Sequence, residues 1–139
     1  MKPFQIVIDT NVLVAAHRSN TGASYRLLHE LGDPRWETNI STALMLEYES
    51  ALKREFKRQG RELALADLVL DYLAQTAMRR TIFFRARPSL PDPGDEFVLE
   101  LAIASRSEFI VTYNIRDYRG TEVFGIRALT PAQFLGVLK

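Results

Sequence analysis

Carboxylates stand at four places where the local pattern of the chain changes. Asp9 follows the apolar run Ile6-Val7-Ile8. Glu47 lies in a helical stretch, Asp92 and Asp95 flank Pro93-Gly94, and Asp117 comes shortly after Phe109-Ile110-Val111-Thr112. In an open α/β sheet, ligands bind outside the carboxyl ends of the strands, so acids closing buried strands point into one mouth. Buried carboxylates are costly unless paired or bound to metal. Taken alone, Asp9 reads as a helix N-cap. Taken with the other three places, it reads as a ligand as well. Hard divalent cations such as Mg²⁺ take oxygen ligands, and two such ions about 3.5–4 Å apart can activate water and stabilise the leaving oxygen in phosphodiester cleavage.

Other chemistries find little support. His17 and His29 have neither metal-ligand spacing nor a neighbouring nucleophile and read as structural or surface residues. The absence of Cys removes thiolate zinc sites and disulfides. No serine sits in a nucleophile elbow, and no glycine-rich phosphate loop occurs. A phosphoacceptor receiver domain also gathers acids at strand ends, but this chain has no acid pair after the first strand and no Lys closing the last one.

The elements that must position the acids alternate in type. Residues 4–9 read as a strand, 11–17 as the start of a helix, and 24–31 as a helix stopped by Gly32-Asp33-Pro34. A short strand over 36–40 leads to Ser41, an N-cap for a helix over 42–58 that ends at Gly60. A second long helix is predicted over 62–78 and a β-rich piece over 81–84. Three prolines and a glycine make 87–94 a loop. Then come a helix over 95–107, a buried strand over 109–112, a strand over 127–129 and a helix from Pro131. This order predicts α/β architecture with one parallel sheet of four or five strands and helices on both faces.

A chain of 139 residues fits one domain, 1–139, with a core of its own. Its 18 Lys plus Arg against 17 Asp plus Glu give a net charge of +1, so global charge does not announce a nucleic-acid binder. The distribution is uneven. Lys53, Arg54, Lys57, Arg58 and Arg61 crowd one stretch, while Asp92, Asp95, Glu96 and Glu100 crowd another. An acidic pocket with basic flanks suits a metal site handling a polyanion. Charges interrupt every apolar run, and Met1-Lys2-Pro3-Phe4 leads into a strand, so no membrane span or export signal is expected, and the expected location is cytoplasmic.

Four segments in order carry a family resemblance. They are Ile8-Asp9-Thr10-Asn11-Val12-Leu13, the stretch from Ser41 through Leu46-Glu47-Tyr48, the stretch Asp92-Pro93-Gly94-Asp95 through Ala102, and Ile110-Val111-Thr112-Tyr113-Asn114-Ile115-Arg116-Asp117-Tyr118. Together they resemble the PIN-domain family, and within it the toxin components of toxin–antitoxin pairs. The resemblance implies a three-layer α/β/α fold and a ribonuclease dependent on Mg²⁺ or Mn²⁺. Asp9 matches the first acid, Glu47 the second and Asp95 the third, with Asp92 as its N-cap or a helper. Glu49 faces nearly the opposite way from Glu47 on a helix, and the resemblance selects Glu47. The fourth place departs from the commonest family pattern: Asn114 stands where many relatives carry Asp, and Asp117 follows three residues later. Asn can ligate through its carbonyl but adds no charge. The implied metal set is therefore Asp9, Glu47, Asp95, Asn114 and Asp117.

Supporting roles fall to Thr10, Asn11, Asp92 and Thr112. Lys53, Arg54, Lys57 and Arg58, with Arg79 and Arg80, are the groups expected to meet RNA phosphates. An RNA substrate, an antitoxin protein and a homodimer are the partners that the resemblance implies.

Overall fold

The structure is a computed structural model that describes residues 2–82 and 96–139. Five strands form one parallel sheet in the order β3-β2-β1-β4-β5, between helices on both faces. They are β1 (Phe4–Ile8), β2 (Trp36–Ile40), β3 (Met78–Arg79), β4 (Phe109–Val111) and β5 (Arg127–Leu129). The central strand β1 pairs with β2 through Ile6 and Thr38 and with β4 through Ile8 and Val111. Covered on both faces, it is a continuous apolar run rather than an alternating one, and Ile6, Val7 and Ile8 are all buried.

The helices are α1 (Thr10–Ala16), α2 (Ala23–His29), α3 (Thr42–Arg58), α4 (Leu63–Thr76), α5 (Glu96–Ala104) and α6 (Pro131–Val137). Local chemistry sets their ends. Asp9 caps α1, and the Ser41 hydroxyl accepts the Leu44 N–H at 3.2 Å to open α3. Gly60, at φ 72°, supplies the left-handed backbone that follows α3. Thr130 and Gln133 form a capping box at α6, with Pro131 in its first turn.

The two ends of the sheet differ in chemistry. At the amino ends, Phe4, Trp36 and Phe109 open β1, β2 and β4 and meet Phe134 of α6, with ring centroids 6.5, 5.8 and 5.7 Å from it. Edge-to-face packing of this kind anchors helix to sheet. At the carboxyl ends stand the polar residues Asp9, Ser41 and Thr112.

The predicted elements are found with shifts at their ends, such as α5 stopping at Ala104 rather than 107, and with two larger differences. The third strand is Met78–Arg79, not 81–84: Thr81 and Ile82 are outside any strand, and 83–84 lie outside the described residues. Helix α4 ends earlier than its apolar period suggests, because Ala77 turns extended at φ −86° and ψ 157°. The chain can then pair Met78 with Asn39 and Arg79 with Ile40 at the sheet edge. The second difference lies between β4 and β5, where two 3₁₀ turns, Ile115–Tyr118 and Thr121–Phe124, replace what the sequence leaves without an assigned element. The proline-rich stretch 87–94 also lies outside the described residues.

Candidate functional site

The strand order reverses between β1 and β4, since the chain builds outward through β2 and β3 and then returns to the far side of β1. A crevice opens at such a point beyond the strand ends. Asp9 and Thr112 are the residues that leave β1 and β4 there. The Asp9 N–H continues the ladder to the Val111 carbonyl at 2.9 Å.

Asp9 is buried, and its carboxylate is held from several sides. Oδ1 accepts the Thr10 N–H at 2.8 Å, the capping bond of α1. Oδ2 accepts the Thr112 hydroxyl at 2.8 Å, the Tyr118 hydroxyl at 3.1 Å and, more weakly, the Asn11 amide at 3.4 Å. Thr112 in turn accepts the Asn114 N–H at 2.9 Å, and Asn11 Oδ1 accepts the Tyr113 N–H at 3.2 Å. The segment after β4 is thereby tied to the segment after β1. Beneath the site, the Tyr48 hydroxyl of α3 donates to the Ile8 carbonyl.

Burial raises the Asp9 carboxyl above its ordinary range, against the lowering effect of the bonds from Thr112, Tyr118 and Thr10, and the charge of Asp117 raises it further. Burial pushes the Tyr48 hydroxyl well up, and the charges of Asp9 and Glu47 add to the effect. These couplings put Asp9, Glu47 and Asp117 within electrostatic reach of one neighbourhood. Glu47 and Asp117 are half-buried, and Asn114 is exposed at the start of the first 3₁₀ turn.

A cleft of about 580 Å³ runs from this neighbourhood between α1 and α3, lined among others by Thr10, Asn11, Glu47, Arg18, Arg54 and Arg58. The Thr10 hydroxyl is buried and has no hydrogen-bond partner among the described residues. All the donors here are oxygens: carboxylates, an amide carbonyl and a hydroxyl. That set fits a hard divalent cation. Among the described residues, no three acidic or histidine side chains come close enough together to hold a metal ion. Asp92 and Asp95, expected to supply the remaining acid, lie outside the described residues.

The basic residues divide. Arg54 and Arg58 face the cleft, whereas Lys53 and Lys57 are not among its lining residues. Lys53 is bound to Glu49 at 2.9 Å and to Asp67 at 3.2 Å, so Glu49 serves as an ion-pair partner on the side of α3 that faces α4. Arg79 and Arg80 line a second cleft, of about 470 Å³, with Glu49, Asp67 and Asp71. Sequence reasoning missed four participants: Tyr118, Tyr48, Arg18 and Glu55. The four-residue steps Thr10, Val14, Arg18 are a signal for Arg18. Tyr118 had none, because an aromatic residue in a loop gives no periodicity.

The model of the PIN domain family matches residues 5–116. The chain belongs to the PIN domain family. The match runs from within β1 to within the first 3₁₀ turn, so it includes Asp9, Glu47, Thr112 and Asn114 and ends before Asp117 and Tyr118. Among solved structures, the PIN fold seen here is similar to VapBC2 from Rickettsia felis bound to a DNA fragment from their promoter. That similarity has a TM-score of 0.61 at 15% identity and covers 89% of this chain and 98% of the other. Comparison with curated protein sequences gives no match. No helix among the described residues of this PIN domain is long and apolar enough to cross a membrane.

Proposed function

We propose that this PIN domain is a divalent-metal-dependent ribonuclease and the toxin of a toxin–antitoxin pair. The observation that carries the reading is Asp9: a buried carboxylate at the switch point of a parallel sheet, fixed by Thr10, Thr112 and Tyr118. Burying such a group without a cation partner is costly, and this supports a ligand role for Asp9 beside its role as a cap.

Asp9 and Glu47 would hold Mg²⁺ or Mn²⁺ together with Asp95, aided by the Asn114 carbonyl or Asp117. Such a cation, when bound, supplies a water of lowered pKa and offsets charge on the phosphoryl oxygens. The chain's own part is positional. Thr112 and Tyr118 fix the rotamer of Asp9, Tyr48 fixes the strand end from below, and the Thr10 hydroxyl, unpartnered among the described residues, is available to a water or a phosphate oxygen. Asn11 ties the segment after β4 to the same frame. RNA, an antitoxin and a second copy of the chain are the proposed partners, and a cytoplasmic location is proposed with them. An antitoxin segment bearing Arg or Lys would be attracted to the same acids.

The test uses purified full-length protein with single-stranded RNA, in Mn²⁺ and in EDTA. The wild-type chain is expected to cut only with the metal, and Asp9→Asn is expected not to cut. Equal cleavage by the variant would overturn the assignment. One observation favours a second reading, a silent PIN module that binds RNA or a protein without cutting: Asn114 brings no charge to the fourth position. No Mn²⁺ binding at millimolar concentration in calorimetry, with RNA left intact, would decide for that reading.

A further inference from the structure

The α1–α3 cleft contains an arrangement that the acid site does not use. Glu55 lies at its far end with its side chain 3% exposed. Its Oε1 accepts from Arg18 Nε at 3.0 Å and Nη2 at 2.9 Å, and from Arg58 Nε at 3.2 Å. Its Oε2 accepts from Arg58 Nη2 and from Gln59 Nε2 at 2.7 Å. One buried carboxylate therefore clamps two guanidinium groups whose side chains remain 57% and 64% exposed. Arg54 stands one turn before Arg58 on the same wall. It makes no ion pair among the described residues, and its nearest polar partner is the Ser50 hydroxyl at 3.4 Å. At the other end of the cleft the buried Thr10 hydroxyl is unpartnered among the described residues.

We propose that this cleft is a subsite for a backbone phosphate of RNA beside the scissile bond, bound by Arg54 and the outer edges of Arg18 and Arg58, with Glu55 as the positioning residue. The inference rests on the ribonuclease reading and adds to it two residues, Arg18 and Glu55, and the α1–α3 cleft as a place for the strand. A guanidinium offers five N–H donors in a rigid fork, so holding one edge against Glu55 leaves another edge aimed outward. Fixing long side chains in advance removes part of the ordering cost of binding. Lys53, neutralised by Glu49 and Asp67, has no such role.

Positioning and bulk charge make opposite predictions for one variant. Glu55→Gln raises the local charge by one unit, so simple attraction would tighten RNA binding. Loss of the clamp would weaken it. The experiment measures the affinity of the full chain for a single-stranded oligoribonucleotide in EDTA as a function of salt, with thermal unfolding as a check on folding. Arg54→Ala, on an exposed side chain with no ion pair among the described residues, is expected to lower the slope of log K against log salt by about 0.7 and the affinity at 0.1 M salt roughly fivefold. Glu55→Gln is expected to weaken binding, and Arg18→Ala to lower the slope as Arg54→Ala does. An RNA-cutting chain whose affinity is unmoved by Arg54→Ala and raised by Glu55→Gln would overturn the subsite and leave the ribonuclease reading standing. A chain that neither binds nor cuts RNA would overturn both.

Discussion

The Tyr118 hydroxyl donates to Asp9 Oδ2 at 3.1 Å, joining two residues 109 positions apart in the sequence. Tyr118 is buried in a 3₁₀ turn and carries the return segment after β4 down onto the strand end of β1. Its bond favours the charged form of a carboxyl that burial pushes the other way. Tyr118→Phe keeps the ring and removes the donor. Cleavage or Mn²⁺ affinity is expected to fall about tenfold, the range typical for a partner that orients a ligand. Circular dichroism should be unchanged, and urea unfolding should shift by about 1 kcal/mol.

Asp9→Asn separates function from stability. The folded carboxyl titrates above its unfolded value, so the folded state binds the proton more readily. The stabilisation from that proton is complete below the unfolded pKa and is lost as pH rises through the folded one. At neutral pH in EDTA the wild-type protein therefore carries an unfavourable buried charge that the amide lacks. Asn is also an adequate N-cap. The variant is expected to unfold at the same urea concentration as wild type or a higher one at pH 7. The comparison should move against the variant as pH falls from neutral toward about 4, with no further change below that value. Metal-dependent cleavage should drop at least about a hundredfold.

Glu55 behaves in the opposite sense. Its bonds from Arg58 and Arg18 hold its carboxyl down at about 2. A depressed carboxyl contributes stability above its unfolded value, near 4.3, and loses it as pH falls toward the folded value. Both arginines are more than half exposed, so solvent screening reduces the gain to about 1 kcal/mol. Glu55→Gln should lower urea stability by that amount at pH 7. The gap to wild type should close between pH 4 and pH 2, about where the two pKa values lie.

The end of the sheet away from the site makes a contrasting case. Phe134 is fully buried against Phe4, Trp36 and Phe109. Phe134→Ala is expected to cost about 3–5 kcal/mol in urea unfolding. Cleavage per folded molecule should hold at a temperature where the variant stays folded.

Much of this division was legible in the sequence. The unbroken Ile6-Val7-Ile8 ending in Asp9 read as a buried strand, and the structure makes it the central strand β1. Ser41 announced α3 through cap chemistry that acts within one turn, and Pro131 announced the start of α6. What escaped depends on distant pairing. A two-residue edge strand has no period to detect, so Met78–Arg79 was hidden inside the apparent end of a helix. Tyr118 and Arg18 carry their roles through partners 109 and 37 residues away, Asp9 and Glu55, and nothing local marks either bond.

Asn114 offers the most direct test of the metal set. It is exposed at the start of the 3₁₀ turn, and its backbone N–H is fixed to Thr112 while its side chain makes no capping bond. Asn114→Asp therefore adds a charge without removing a contact that holds the turn. If its carbonyl faces the cation, the added charge should tighten Mn²⁺ binding roughly tenfold, because ligand charge count tunes the affinity of an oxygen site. Asp117→Asn should weaken binding, since Asp117 already acts electrostatically on Asp9. Calorimetric titration of both variants gives the sign directly. Affinity unchanged by Asn114→Asp, with a loss in Asp117→Asn, would assign the fourth ligand to Asp117 alone.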